Sequence, residues 1–290
     1  MNYTKRTKRT KRARLLLLLW LALPCFLKAQ ILPKDWQRAV VLIEQSVTVN
    51  DSIQYQPIGT GFLLQRKLPD KQTRVYVVTA GHVTLLVPGH RIFVRLDKKE
   101  SGFFRLPITL AAHVAEEGDF VTAHPGGEGG QPFRVSKTLG IAAIDVTDVN
   151  VPNDVNNAMF DISVVLSERR YSELGLIETD RLFIISYDTG LQLPIVRSGM
   201  VSAILPNKSF YAEASVYGSD SGSPVVLQLR KPGVLETRTP VIIGVVSDTI
   251  ERLAPVGKFG PQNVDLFLPR CANLALVQPS HVILDMLASL

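Results

Sequence analysis

Gly218-Ser219-Asp220-Ser221-Gly222-Ser223-Pro224 sets a serine at the centre of a tight turn, with an apolar strand, Val225-Val226, directly behind it. Upstream, Val77-Val78-Thr79-Ala80-Gly81-His82-Val83 reads as a strand that delivers a histidine at its end. Between the two lies Phe160-Asp161-Ile162-Ser163-Val164-Val165-Leu166, an aspartate opening an apolar run. Serine is a weak nucleophile at its own pKa and needs an adjacent base. That base in turn needs a carboxylate to hold its tautomer and to stabilise the imidazolium that forms. Glycine beside the serine lets a carbonyl approach the backbone N–H groups that stabilise an oxyanion. The nucleophile elbow of α/β-hydrolases is excluded, because both 219 and 223 are serine where that motif needs glycine.

Outward from these segments, Val- and Ile-rich runs recur between Gly, Pro, Asn and Asp. They include Ala39–Ile43, Gly61–Leu64, Val75–Thr79, Arg91–Leu96, Asp161–Leu166, Arg181–Ser186, Val196–Ile204, Pro224–Leu229 and Pro240–Ser247. Such spacing predicts an all-β protein with barrels or sandwiches, not alternating strand–helix units. After Pro279-Ser280, the residues Val282, Ile283, Met286, Leu287 and Leu290 recur at helical spacing and predict one C-terminal α-helix capped by Ser280. The length suits two β-domains, 30–167 and 179–290, joined by a polar linker at 168–178. Between Glu116 and Asn157 the strand pattern weakens. The Gly-rich stretch His124–Pro132 there reads as a solvated loop, since no Lys-Ser/Thr follows to make a phosphate cradle.

The 290 residues carry 32 Lys+Arg against 26 Asp+Glu, a formal charge of +6. Seven of those bases fall between Lys5 and Arg14, followed by the uncharged run Leu15–Leu27 and then Lys28-Ala29. A basic start, a short apolar core and a small residue at the cut site predict a signal peptide over residues 1–29. Its removal takes eight bases and no acid, leaving 24 against 26. A protein of about −2 has no electrostatic case for binding nucleic acid. The predicted location is the periplasm or the extracellular space. Thirteen apolar residues rise about 20 Å as a helix against a hydrocarbon core of roughly 30 Å, so membrane attachment is expected only if the leader stays uncleaved. Cys25 leaves with the leader and Cys271 is then alone, which excludes an internal disulfide. The five histidines are scattered and form no HExxH or related zinc spacing, so neither a metal nor another cofactor is expected.

In the order His, Asp, Ser, the three segments resemble those of the chymotrypsin/trypsin-like serine peptidases. Gly59-Thr60-Gly61-Phe62, Ile243-Gly244-Val245-Val246-Ser247 and the final helix add to the likeness, which covers most of residues 36–290. Glu116–Asn157 has no clear counterpart. The resemblance implies two antiparallel β-barrels with a C-terminal α-helix. It also implies an exported, disulfide-free enzyme of bacterial type that hydrolyses polypeptides through an acyl-enzyme. Carried over, His82 is the general base, Asp161 its orienting carboxylate and Ser221 the nucleophile. The N–H groups of Ser219 and Ser221 form the oxyanion hole, and Ser215, Ser247, Asp248 and Thr249 contact substrate.

Two departures qualify the resemblance. Ser219 stands where the family has glycine, so it is either strained at positive φ or leaves its peptide carbonyl turned inward. Losing one oxyanion donor costs about 2.7–4 kcal/mol of transition-state stabilisation. The rival expectation is therefore a peptidase-fold binding protein with impaired catalysis. Asp220 lies where animal members pair a newly cleaved N-terminus, yet Gln30-Ile31-Leu32-Pro33 does not resemble such a site. An internal donor for Asp220 is expected instead.

Overall fold

The computed structural model describes residues 32–85, 91–124, 130–156, 158–227, 240–259 and 264–290, with side chains described for all of these except 85 and 251–272. Short helix α1 (Lys34–Arg38) leads into β1 (Val40–Val49), β2 (Ser52–Lys67) and β3 (Thr73–Ala80), after which one helical turn, α2 (Gly81–Leu85), carries His82. Strands β4 (Arg91–Asp97), β5 (Phe103–Thr109), β6 (His113–Glu117), β7 (Phe120–His124), β8 (Phe133–Ser136) and β9 (Ile141–Asp145) follow. They form one antiparallel sheet in the order β5-β4-β1-β2-β3-β9-β8-β7-β6. The sheet curls on itself, because Gln131, just ahead of β8, donates its N–H to the Thr109 carbonyl at 2.7 Å and accepts from Ala111 N–H at 3.1 Å. Alternate residues of the strands turn inward, and Ile43, Val77, Val94, Ile108, Phe133, Val135 and Ile144 are buried in a shared core. Each large side chain removed from water there contributes about 1.5–3 kcal/mol.

The Glu116–Asn157 stretch contains β7, β8 and β9, where the strand pattern of the sequence weakens. Four- and five-residue runs such as Phe133–Ser136 are too short to show alternation, yet β9 runs beside β3 with Ala80 opposite Ile141. The expected strand over Asp161–Leu166 is not formed. Phe160–Asp161 makes a two-residue parallel bridge (β10) to Leu64 and Gln65 of β2, and Ile162–Val164 then winds into a single 3-10 turn. Burial of Phe160 explains this placement, because its ring packs edge-on to Trp36 at 4.9 Å and to Phe62 at 5.7 Å. The segment expected as a linker contains helix α3 (Glu168–Leu174), with Ser167 accepting from Arg170 N–H at 3.5 Å at one end and Gly175 in the left-handed region at the other.

Six further strands, β11 (Arg181–Asp188), β12 (Leu193–Ile204), β13 (Phe210–Glu213), β14 (Pro224–Leu227), β15 (Val241–Phe259) and β16 (Val264–Pro279), close into a barrel. Its antiparallel order is β11-β12-β13-β16-β15-β14, shut by Leu182–Ile184 against Val225–Leu227. Leu182, Ile184, Val201, Phe210, Val225, Ile243, Val246 and Val277 fill it. Strands β15 and β16 extend well beyond the expected Pro240–Ser247 run as a long hairpin. The C-terminal helix is present as α4 (His281–Leu287), burying Val282, Ile283, Met286 and Leu287. Ser280 does not cap it. Its hydroxyl donates instead to the Leu166 carbonyl at 3.5 Å. The chain is thus all-β, with a curled antiparallel sheet followed by a closed barrel. The expected leader at 1–29, with Cys25, and residues 125–129 of the Gly-rich loop lie outside the described residues.

Candidate active site

His82 and Ser221 come from different β-units and meet in one cleft. The chain must turn sharply after β3 to present His82, and Gly81 permits it: a Cβ at 81 would sit 3.0–3.1 Å from the backbone of Gly140. Gly81 N–H donates to the Gly140 carbonyl at 2.6 Å, and Val83 anchors the helical turn in the core while the His82 side chain stays exposed. On the other side, Gly222 has φ +93°, and a Cβ there would lie 1.9 Å from the Thr60 carbonyl oxygen. Only glycine fits, so the turn bearing Ser221 is pressed against β2. Thr60 N–H donates to the Ser221 carbonyl at 2.8 Å and completes this attachment. His82, Gly218, Ser221, Ser247, Asp248 and Thr249 line a cleft of about 540 Å³.

Asp161 is not part of that cleft. It sits beside Gln65, whose β3 partner is Val75, seven residues before His82. At about 3.3 Å per strand residue the separation is roughly 20 Å. Its carboxylate instead accepts from Ser163 N–H at 2.9 Å and caps the 3-10 turn. Hydrogen bonding by Ser163 holds the carboxyl below the usual aspartate range. The assignment of Asp161 as the orienting carboxylate is therefore corrected. The competing aspartates Asp145, Asp148 and Asp154 do not line the cleft either: Asp145 pairs with Arg74 at 3.5 Å, Asp154 with Lys98 at 2.8 Å, and Asp148 is exposed.

Gly140, and not an acid, is the residue that the β3–β9 register brings beside Gly81 and His82. It ends the β8–β9 turn at φ +62°, bonded to Gly81, the residue before the histidine. A Cβ at 140 would point toward the cleft wall, with the Ser247 Cβ at 4.0 Å as its nearest neighbour. Ser247, free of any acid there, donates its hydroxyl to the Leu276 carbonyl at 3.2 Å and accepts from Gln278 Nε2 at 3.0 Å. Gln278 Oε1 accepts in turn from Ser209 at 2.5 Å, so the buried side-chain polar atoms of this chain of bonds are satisfied without a carboxylate.

The turn before Ser221 is closed. Residues Gly218–Asp220 form a 3-10 turn in which Ser221 N–H points at the Gly218 carbonyl, 3.5 Å away. Ser219 is not among the residues with positive φ. Of the two conformations open to a serine at 219, the chain takes the unstrained one, with the Gly218 carbonyl facing the Ser221 N–H. The expected oxyanion hole of Ser219 and Ser221 N–H groups is thus not assembled in this conformation.

Asp220 is fully buried and accepts from Tyr217 N–H at 2.8 Å. Arg197 of β12 reaches it at 3.5 Å and also binds Asp188 at 3.2 Å, with the Tyr217 ring 4.9 Å away over the guanidinium. Arg197 is therefore the internal donor that takes the place of a cleaved N-terminus. Burial nevertheless dominates and pushes the Asp220 carboxyl above the ordinary range, and its Oδ1 has no partner among the described residues.

Of the expected substrate-contacting residues, Ser247, Asp248 and Thr249 line the cleft and Ser215 does not. Ser215 faces a separate depression of about 410 Å³ shared with Arg181, Met200, Glu213 and Asn273. The exposed Asp248 carboxylate folds back to accept from Thr249 N–H at 2.8 Å.

Two antiparallel β-units, with a histidine at the end of the third strand and a Gly-flanked serine at the start of a barrel strand, converge on one cleft. This is an all-β, two-unit architecture whose second unit is a closed six-stranded barrel. No family model matches the chain, and no curated protein matches it. Among solved structures it is similar to the apo MamO protease domain from Magnetospirillum magneticum, at 15% identity and a TM-score of 0.45, over 87% of this chain and 97% of that one. Among the described residues, no group of three or more His, Cys, Asp or Glu is placed to hold a metal ion.

Three participants escaped the sequence reading. Gly140 opens the short apolar run Ile141–Ile144, whose length hid it. Arg197 falls on the inward alternation of β12, and an arginine in that register signals a buried acid partner. Thr60 lies within a Gly-Thr-Gly motif that points to the glycines and away from the hydroxyl.

Proposed function

We propose that this protein holds an extended polypeptide in the His82–Ser221 cleft and that hydrolysis there is reduced to slow turnover by a two-residue pair. The observation that carries the reading is Gly140, a glycine where the orienting carboxylate belongs. Without that carboxylate His82 remains a base for the Ser221 proton, but no acid among the described residues is placed to fix its tautomer or stabilise the imidazolium. In serine peptidases, exchanging the carboxylate for its amide lowers turnover about 10⁴-fold. The closed turn removes a further donor, typically about 10²–10³ in rate. The leader-like residues 1–29 support export to the periplasm or the extracellular space, and N-terminal sequencing of the secreted form tests it.

The test compares wild type with Ser221→Ala for binding and cleavage of fluorescein-labelled casein. Equal anisotropy-derived affinities, with wild-type cleavage far below 1 s⁻¹, support the reading. Casein turnover at about 1–10³ s⁻¹, the span typical of working enzymes, overturns it.

A second reading is a peptidase that opens on substrate binding. It is favoured by the length of the Ser221 N–H···Gly218 contact, 3.5 Å, which lies at the outer edge of a hydrogen bond and holds the turn weakly. Burst labelling of Ser221 by a fluorophosphonate only when a bound peptide is present distinguishes it from the first.

A further inference from the structure

Thr60 of β2 sends its hydroxyl and its N–H across the junction between the two β-units. Its hydroxyl donates to the Ser219 carbonyl at 2.8 Å and accepts from Tyr187 N–H at 3.3 Å. Its N–H donates to the Ser221 carbonyl at 2.8 Å, and its carbonyl accepts from Thr79 Oγ1 at 2.7 Å. The residue is fully buried. The Tyr217–Asp220 turn is tied from its other side by Asp220, which binds Tyr217 N–H and Arg197.

These ties leave one peptide unit free to rotate, that between Gly218 and Ser219. Turning it to aim the Ser219 N–H into the cleft changes ψ of Gly218 and φ of Ser219 and leaves the flanking units in place. Gly218 accepts any such change. Ser219 does not, because the rotation carries it into the positive-φ region, where a Cβ clashes with the backbone. A turn free to tilt its Ser219–Asp220 unit would share that strain. With the Ser219 carbonyl pinned, all of it falls on one residue.

We propose that the Thr60 hydroxyl is the positioning group that keeps the oxyanion turn closed, by pinning the Ser219 carbonyl so that opening must strain Ser219. The inference rests on reading the cleft as a peptidase-type site. It makes the Thr60 hydroxyl a control on reactivity that acts through the Ser219 peptide and not through a hydrogen bond to the Ser221 hydroxyl.

The experiment uses the full chain with Thr60→Val and Thr60→Ser, each also in a Ser219→Gly background. Two rates are read: amide hydrogen exchange at Ser221 N–H, and labelling of Ser221 by a fluorophosphonate. Thr60→Val is expected to raise both about tenfold, the equivalent of one lost hydrogen bond, while lowering Tm. Thr60→Ser retains the hydroxyl and is expected to match wild type. In the Ser219→Gly background Thr60→Val is expected to add nothing, since glycine opens without strain. If Thr60→Val proves too unstable to isolate, Thr60→Ala takes its place with the same expectation.

A lowered Tm with unchanged or slower exchange overturns the proposal and leaves Thr60 with a packing role alone. Equal acceleration with and without Ser219→Gly overturns it too, since the effect then bypasses Ser219. Failure of the functional reading shows differently, as ordinary casein turnover by wild type. The exchange rates do not depend on that chemistry.

Discussion

Installing the missing acid is the most direct perturbation of this site. Gly140→Asp places a carboxylate beside Gly81 and under His82, in a space whose nearest atom to the new Cβ is the Ser247 Cβ at 4.0 Å. The backbone there has φ +62°, which aspartate tolerates better than most residues, at a cost of about 1–2 kcal/mol. Against this stands the rate effect of a triad carboxylate, about 10⁴, or roughly 5 kcal/mol in the barrier. An acid on a newly built side chain will not be ideally aimed, so a gain of about 10² or more in the fluorophosphonate labelling rate of Ser221 is expected. Urea midpoints should fall by an amount matching the backbone strain. Gly140→Asn has the same shape without the charge and should give no gain. Adding Ser219→Gly should multiply the rate again, by about 10²–10³, because it relieves a separate defect. A folded Gly140→Asp protein that labels at the wild-type rate refutes the placement of the carboxylate gap, as does a Gly140→Asn protein that labels equally fast.

Asp161→Ala should leave labelling of Ser221 unchanged and cost about 0.5–2 kcal/mol in urea unfolding, the usual range for loss of a capping group; loss of labelling would return Asp161 to the catalytic machinery. Arg197→Met strands a buried carboxylate and should destabilise the fold by about 3–5 kcal/mol, read as a lower urea midpoint, whereas a change below 1 kcal/mol means that Asp220 is carried by other groups. Asp220 also makes a pH prediction, since burial raises its folded pKa above the unfolded value. The folded state then holds the proton more tightly, so this contribution is fully present below about pH 3.9 and is lost as pH rises through the folded pKa. Wild type should therefore lose stability relative to Asp220→Asn from about pH 4 upward, and parallel urea midpoints across pH 4 to 7 would contradict the shift.

Histidine and serine were legible because each sits where a glycine is sterically forced. Gly81 faces the Gly140 backbone and Gly222 faces the Thr60 carbonyl, so the local motif and the tertiary contact demand the same residues. The aspartate was not legible. An acid opening an apolar run describes Asp161 well, but the same pattern arises when a buried aromatic, here Phe160, pins the chain and the acid behind it caps a turn. The true neighbour of β3 is β9, five residues with two alanines, and nothing in so short a run announces that it sits in the middle of a sheet.

The strand periodicity, the Gly-flanked histidine and serine and the C-terminal helix were determined by the sequence alone, because each depends on residues close together in the chain. An all-β fold and a His–Ser cleft follow from them. Which residue faces His82 from behind, how the Ser219 peptide is turned, and what pairs with Asp220 were decided only by tertiary structure. Each of these depends on strand register between segments more than 20 residues apart or across the two β-units. A shift of one residue in that register exchanges inward and outward side chains. That is why a glycine, a threonine and an arginine, none of them chemically conspicuous in the sequence, govern what this site does.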